Sequence, residues 1–153
     1  MEKTIRNKTF TSADEVRELA KKTIINEKLD LMGAQVEYLF VSPAINKTTV
    51  GRCIRTGPEL NFFSGADYVI EISQDVWDEL DDDVKYILLH HELLHIYPVS
   101  NDKKGTIEYK LRDHDIQDFD LIIKKYGTDW FKKLKTVMSD TLGADYLNDI
   151  ISI

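Results

Sequence analysis

The chain has little of what staples, breaks or stiffens a fold. Its single cysteine, Cys53, cannot close an internal disulfide, so nothing points to an oxidising compartment. Three prolines and seven glycines form no linker, no biased tract and no repeat, so one domain spanning residues 1–153 is expected. No apolar run approaches the roughly 18 residues that a membrane span needs, and residues 1–6 (MEKTIR) lack the apolar centre of a signal peptide. Positive charge is in deficit, with 20 Lys and Arg against 27 Asp and Glu and a net charge of −7. That balance argues against a whole-surface grip on nucleic acid or anionic lipid and leaves room only for a local basic patch. The expectation is an acidic cytoplasmic protein with no membrane partner. What is present is enough apolar material, 42%, to build a core, which excludes a disordered tail.

Periodicity organises that material. Ser12 and Glu15 have the spacing of a capping box, opening a helix whose stripe is Val16, Leu19, Ala20 and Ile24, expected to run to about Met32 with Gly33 as its stop. Residues 35–41, 48–55 and 67–73 read as strands, the first with Val36, Tyr38 and Phe40 on one face and the last with Tyr68, Ile70 and Ile72. From residue 74 the period lengthens: a short helical turn around Trp77, then a helix over residues 83–97 whose first turn is acidic. Val84, Ile87, Leu88, Leu93, Leu94 and Ile96 make it apolar nearly all round, and such a helix is buried. Residues 98–113 are polar and read as a loop, followed by helices over 114–125 and 129–148. The order predicts an α+β domain: a small sheet of three strands or slightly more, an N-terminal helix, the buried helix and C-terminal helices.

The chemistry sits in that buried helix. All four histidines, His90, His91, His95 and His114, fall within 25 residues, and His91-Glu92-Leu93-Leu94-His95 is an HExxH motif. Residues four apart share a helix face, about 5–6 Å apart at Cβ, so two imidazoles can converge on one zinc ion. Glu92, turned by about 100°, is close to the metal but off the ligand axis, where it can act as general base towards a metal-activated water. Chance supplies such a motif about 0.01 times in a chain of this composition. The competing interpretation, histidines merely packed in a core, leaves two imidazoles and a carboxylate to be buried at considerable cost. A third ligand must come from elsewhere: His114 is favoured because imidazole suits zinc, with Asp115 and Asp118 as rival ligands or as carboxylates orienting an imidazole. His90 lies on another face and reads as a packing or surface residue.

The run DYVIEI at 67–72, Trp77, HELLHI at 91–96 and HDIQDF at 114–119 resembles the phage metallopeptidases and, more broadly, the SprT-like, minimal-gluzincin zinc proteins. The resemblance covers residues 67–127. It implies a zincin-like fold, one zinc ion per chain held by His91, His95 and His114, Glu92 as the catalytic base, and a peptide or protein substrate. It also implies that the strand at 67–73 borders the cleft and offers an exposed edge to an extended peptide, and that a phage-encoded protein would act in the host cytoplasm. Tyr97, Tyr109 and Arg112 are candidates for oxyanion or substrate contact. Two alternatives accompany the peptidase reading: a non-catalytic zinc-containing binding protein, such as an inhibitor of a host factor, and a DNA-associated SprT-like protease. The latter would use Lys124, Lys125, Lys132, Lys133 and Lys135, whose helical spacing favours a solvated face instead. Cys53 reads as a buried strand residue.

Overall fold

A computed structural model of the chain describes residues 7–113, 119–145 and 150–153. It is an α+β structure built on a mixed four-stranded sheet. The strands are β1 (Thr9–Ser12), β2 (Val36–Ser42), β3 (Gly51–Arg55) and β4 (Tyr68–Ser73), in the spatial order β1-β2-β4-β3. β2 and β4 run parallel, with Tyr38 opposite Ile70 and Phe40 opposite Ile72, while β1 and β3 pair antiparallel to β2 and β4. The polar stretch before the first helix contributes a fourth, edge strand, β1, within the expectation of three strands or slightly more. One correction to the sequence reading follows. The strand carrying DYVIEI lies inside the sheet between two neighbours, so its edges are taken, and the outer strand on that side is β3.

The register explains which face is covered. Paired residues point the same way, so Tyr38, Phe40, Ile70, Ile72, Gly51 and Cys53 share one face. On it pack α1 (Asp14–Asn26), α3 (Gln74–Glu79) and α4 (Asp82–Leu94): the Arg17 guanidinium lies over the Tyr38 ring, Trp77 sits 6.2 Å from Phe40, and α4 crosses β3. The opposite face carries Glu37, Glu71 and Arg52, the last two joined across the strands at 2.7 Å. A short helix, α2 (Pro58–Ser64), links β3 to β4 and buries none of its residues.

Local chemistry shifted several boundaries. The first helix begins at Asp14 with no side-chain cap, because Ser12 is committed to strand pairing and its hydroxyl donates to Asp14. It ends at Asn26 rather than near Met32, and Lys28 and Met32 adopt left-handed backbone. α4 stops at Leu94, leaving His95 as its C-cap, because Pro98 cannot continue a helix and holds Tyr97 extended. The expected loop at 98–113 is instead a hairpin of β5 (Ile96–Asn101) and β6 (Thr106–Leu111), turning at Gly105. α5 (Asp120–Tyr126) and α6 (Asp129–Leu142) close the described order, α6 ending at a left-handed Gly143 well short of residue 148. No helix among the described residues is long and apolar enough to cross a membrane.

Leu88 lies at the centre of this packing, fully buried among the sheet and helices. Leu88→Ala should cost about 2–5 kcal/mol, read as a lowered midpoint in chemical denaturation. A loss below about 0.5 kcal/mol would show that α4 is not enclosed.

Candidate metal centre

α4 carries His91 and Glu92 into the interior at 0% exposure, and His90 at 1%. The His91 and His95 rings lie 5.2 Å apart, centre to centre, and the Glu92 carboxylate comes within 4.0 Å of His95 Nε2. Phe119, immediately before α5, packs 5.1 Å from the His91 ring and 5.0 Å from the His95 ring, and Trp130 of α6 lies 6.2 Å from His91. Two aromatic side chains therefore pack on the pair, Phe119 on both rings and Trp130 on His91, leaving the rings few alternative rotamers.

The hairpin decides which face His95 presents. Arg112 N–H donates to the His95 carbonyl at 2.8 Å, and His95 Nδ1 lies 2.8 Å from the Arg112 carbonyl oxygen. The two residues extend the β5–β6 ladder by one position, since Ile96 already faces Leu111. A carbonyl only accepts, so Nδ1 carries a proton and donates it, which turns Nε2 to the side where Glu92 lies. An imidazole that donates its Nδ1–H to a backbone carbonyl is oriented as metal-binding histidines usually are. The donor chemistry, two imidazoles one helical turn apart, His91 buried and His95 partly so, beside a buried carboxylate, fits zinc.

Gly51 of β3 faces this carboxylate. A Cβ at that position would meet Glu92 Oε1 at 3.0 Å and Ile72 Cδ1 at 3.1 Å, so only a hydrogen fits comfortably. Periodicity could not single out this glycine, because its role comes from a strand and a helix about 40 residues apart in the chain meeting face to face. Cys53, on the same face of β3, is half-buried, and burial, reinforced by the nearby Glu92 carboxylate, pushes its thiol well above the ordinary range. It is a protonated strand residue rather than a nucleophile.

Behind the motif lies a polar cluster that the sequence reading missed. His90 Nδ1 is 2.8 Å from the Tyr126 hydroxyl, and its neighbour Lys125 pairs with Glu27, which also accepts the Tyr86 hydroxyl at 2.8 Å. His90 is thus neither a surface residue nor part of the HExxH face. It ties α4 to α5 from the other side. His90 Nε2 and Trp130 Nε1 are buried with no hydrogen-bond partner.

Of the remaining candidates, Tyr97 is partly exposed with the Arg112 guanidinium 4.8 Å over its ring, next to His95. Tyr109 instead donates its hydroxyl to the Met32 carbonyl and packs edge-on against Tyr68. His114, Asp115 and Asp118 lie outside the described residues. Among the described residues no group of three His, Cys, Asp or Glu side chains converges to hold a metal ion. The lysines of the C-terminal helices have acidic neighbours: Lys125 with Glu27, Lys133 with Asp83 at 3.5 Å, and Lys132 with Asp129 at 4.0 Å.

Gly51→Ala should move the Glu92 carboxylate by a few tenths of an ångström and lower any hydrolytic rate at least tenfold, while chemical denaturation shows a folded protein. An unchanged rate would mean that Glu92 does not need its present position. The Glu27 carboxyl pKa is lowered: burial pushes it up, but the bonds from Lys125 and Tyr86 outweigh that. A lowered carboxyl pKa stabilises the fold above its ordinary value of 4.5, and the contribution is lost as pH falls through the folded-state value. Glu27→Gln should therefore flatten the stability profile below pH 4.5, measured as denaturation midpoint against pH.

The family model described as "Putative phage metallopeptidase" matches residues 8–141. Neither a curated protein nor a solved structure matches the chain.

Proposed function

The chain belongs to the phage metallopeptidase family, and from that premise we propose that it is a zinc-dependent peptidase with a zincin-like fold, acting in the host cytoplasm. The observation that carries this reading is the HExxH helix buried with its carboxylate against Gly51 and with His95 Nδ1 held by the Arg112 carbonyl. His91 and His95 would hold one zinc ion per chain, with His114 as third ligand in preference to Asp115 or Asp118. Arg112, two residues before His114, is bonded to His95, so the chain is within reach. When bound, zinc supplies Lewis-acid polarisation of the scissile carbonyl and makes a nucleophilic water available near neutral pH.

The chain's own residues do the rest. Glu92 accepts a proton from the attacking water and returns it to the leaving amine as the C–N bond breaks. Phe119, Trp130 and the apolar face of α4 exclude bulk water and strengthen the field of that carboxylate. His95, fixed through Nδ1, cannot rotate away during turnover. Arg112 and Tyr97, stacked on each other beside His95, are the proposed contacts for a substrate carbonyl. The substrate is an extended peptide paired with the outer edge of β3. The acidic partners of Lys125, Lys132 and Lys133 support a protein or peptide substrate over a nucleic-acid-bound one.

Elemental analysis of the purified protein should give about one zinc per chain. His91→Ala and His95→Ala should lose it, and His114→Ala should weaken it more than Asp118→Ala does. Glu92→Gln is nearly isosteric and should keep fold and metal while hydrolysis falls by about 10²–10⁴-fold. Cleavage that persists in Glu92→Gln would remove this residue from the mechanism. A variant inert towards peptides yet fully active in cells would make the protein a binder.

A further inference from the structure

Beside His95 the chain surrounds an open cavity of about 340 Å³. One wall is the segment after α1, with Leu29, Leu31 and Met32; the other is the end of α4 and the start of β5, with Leu94, Ile96 and Pro98. Leu94 is turned by about 100° from His95 and about 200° from Glu92 around the helix. An occupant of this cavity therefore sits beside the HExxH face and not on it.

The first wall is held in an unusual conformation. Lys28 and Met32, which bracket it, are both left-handed, with φ of 52° and 50°, although neither is glycine. The Cβ of such a residue crowds its own carbonyl, and backbone strain of this kind clusters at ligand clamps and active sites. The Tyr109 hydroxyl donates to the Met32 carbonyl at 3.0 Å and clamps the far end of the wall to the hairpin. The Met32 N–H donates to the Asp30 carboxylate at 2.9 Å.

Two cations line the same cavity. Lys28 and Arg112 are exposed, and neither makes an ion pair among the described residues. The Arg112 guanidinium stands 4.8 Å over the Tyr97 ring, which leaves its N–H edge to a carboxylate. Asp30, the acid in the lining, has one oxygen already engaged by Met32. In a chain of net charge −7, two such cations around an aliphatic cavity select for a ligand that is apolar and anionic at once.

Recognition here falls to side chains. The bond from Arg112 N–H to the His95 carbonyl makes these two a hydrogen-bonded pair, so by alternation Ile96 and Pro98 turn their backbone groups away from β6. The cavity lies along that edge, and Pro98 has no N–H to give. A peptide cannot continue along it as a regular strand. Its affinity must come from the aliphatic walls and the two cations.

We propose, on the basis of the peptidase reading above, that this cavity is a specificity pocket seating a large aliphatic side chain of the substrate, with carboxylates next to it in the peptide paired to Lys28 and Arg112. The substrates are then proteins or peptides with an acidic segment interrupted by a leucine or isoleucine. Arg112 has five donors, enough for such a carboxylate besides the substrate carbonyl assigned to it above. Glu92 does not line the cavity, so the pocket acts on capture of the substrate and not on the chemical step.

Binding is tested without catalysis. The Glu92→Gln protein is titrated with acetyl-Gly-Glu-Leu-Glu-Gly-amide, and with versions carrying Ala for Leu or Gln for both Glu, while amide shifts are followed by NMR. The Glu-Leu-Glu peptide should bind about tenfold tighter than either control, with the largest shifts at Leu29, Leu31, Ile96 and Tyr97. Added salt should weaken it several-fold and leave the Gln version unchanged. Leu31→Asp should abolish the preference for Leu. Lys28→Gln, an exposed change that keeps the walls intact, should remove most of the preference for Glu, with chemical denaturation confirming the fold of both. Equal affinity for all three peptides, shifts that map away from the cavity, or selectivity unaltered in Lys28→Gln would overturn the proposal.

A second measurement uses the zinc-loaded, unaltered protein and longer peptides that contain the same segment. Replacing its Leu by Ala should raise KM about tenfold at nearly constant kcat, the signature of lost uniform binding. A fall in kcat at constant KM would overturn the assignment to capture. If the unaltered protein holds no zinc and cuts nothing, the peptidase reading fails by itself, and the titration still decides whether the cavity takes the acidic aliphatic segment.

Discussion

Three polar side chains carried inside an apolar helix dictate much of the architecture around them. A helix hydrophobic nearly all round must be enclosed, and α4 takes His90, His91 and Glu92 in with its leucines. Each of these groups would be costly to bury without a partner, so the elements packed on α4 do more than fill space. Gly51 makes room for the carboxylate, Arg112 supplies a carbonyl to His95, and Tyr126 supplies a hydroxyl to His90. Each partner comes from a different element: a sheet strand, the end of a hairpin and a C-terminal helix.

The hairpin after α4 links fold and chemistry. It leaves the helix directly after His95 and returns at Arg112 to pair with the residue it left. The excursion sets the tautomer of His95 and brings the chain back beside the motif just before the HDIQDF stretch. Its inner side is tied down by Tyr109 to Met32 and by the Tyr68 hydroxyl to the Lys110 carbonyl, so the left-handed turn after α1 and the start of β4 support the same clasp. A hydrogen bond that fixes an imidazole orientation is the kind of outer support whose loss weakens metal sites by about 10–100-fold.

Electrostatics follow the same division between inside and outside. The chain carries a net charge of −7, while lysines of the C-terminal helices find acids at the end of α1, in α4 and within α6 itself. Of these, Lys125 to Glu27 lies beside the buried Tyr126–His90 contact and joins three helices at one point. Such a cluster holds α5, and with it Phe119, against the two imidazoles.

Much of this was legible in residue order. The 3.6-residue period, the acidic first turn and the i, i+4 histidines placed α4 and its motif, because a helix face depends only on spacing along one segment. Alternation located β2 and β4 for the same reason, and β3 read as a strand ended by Gly57-Pro58. The hairpin at 96–111 escaped because its strands are largely polar and half exposed, so no burial pattern marks them. The DYVIEI strand was given a free edge that belongs to β3, since neighbour order is a property of several strands together. Gly51 opposite Glu92, Arg112 on His95 and Ser152 beside Thr49 join positions about 41, 17 and 103 residues apart. Local periodicity carries no trace of such pairings: which residue types can do the chemistry is written in the segment, but which backbone carbonyl, which missing side chain and which open edge meet them is decided only when the chain has folded.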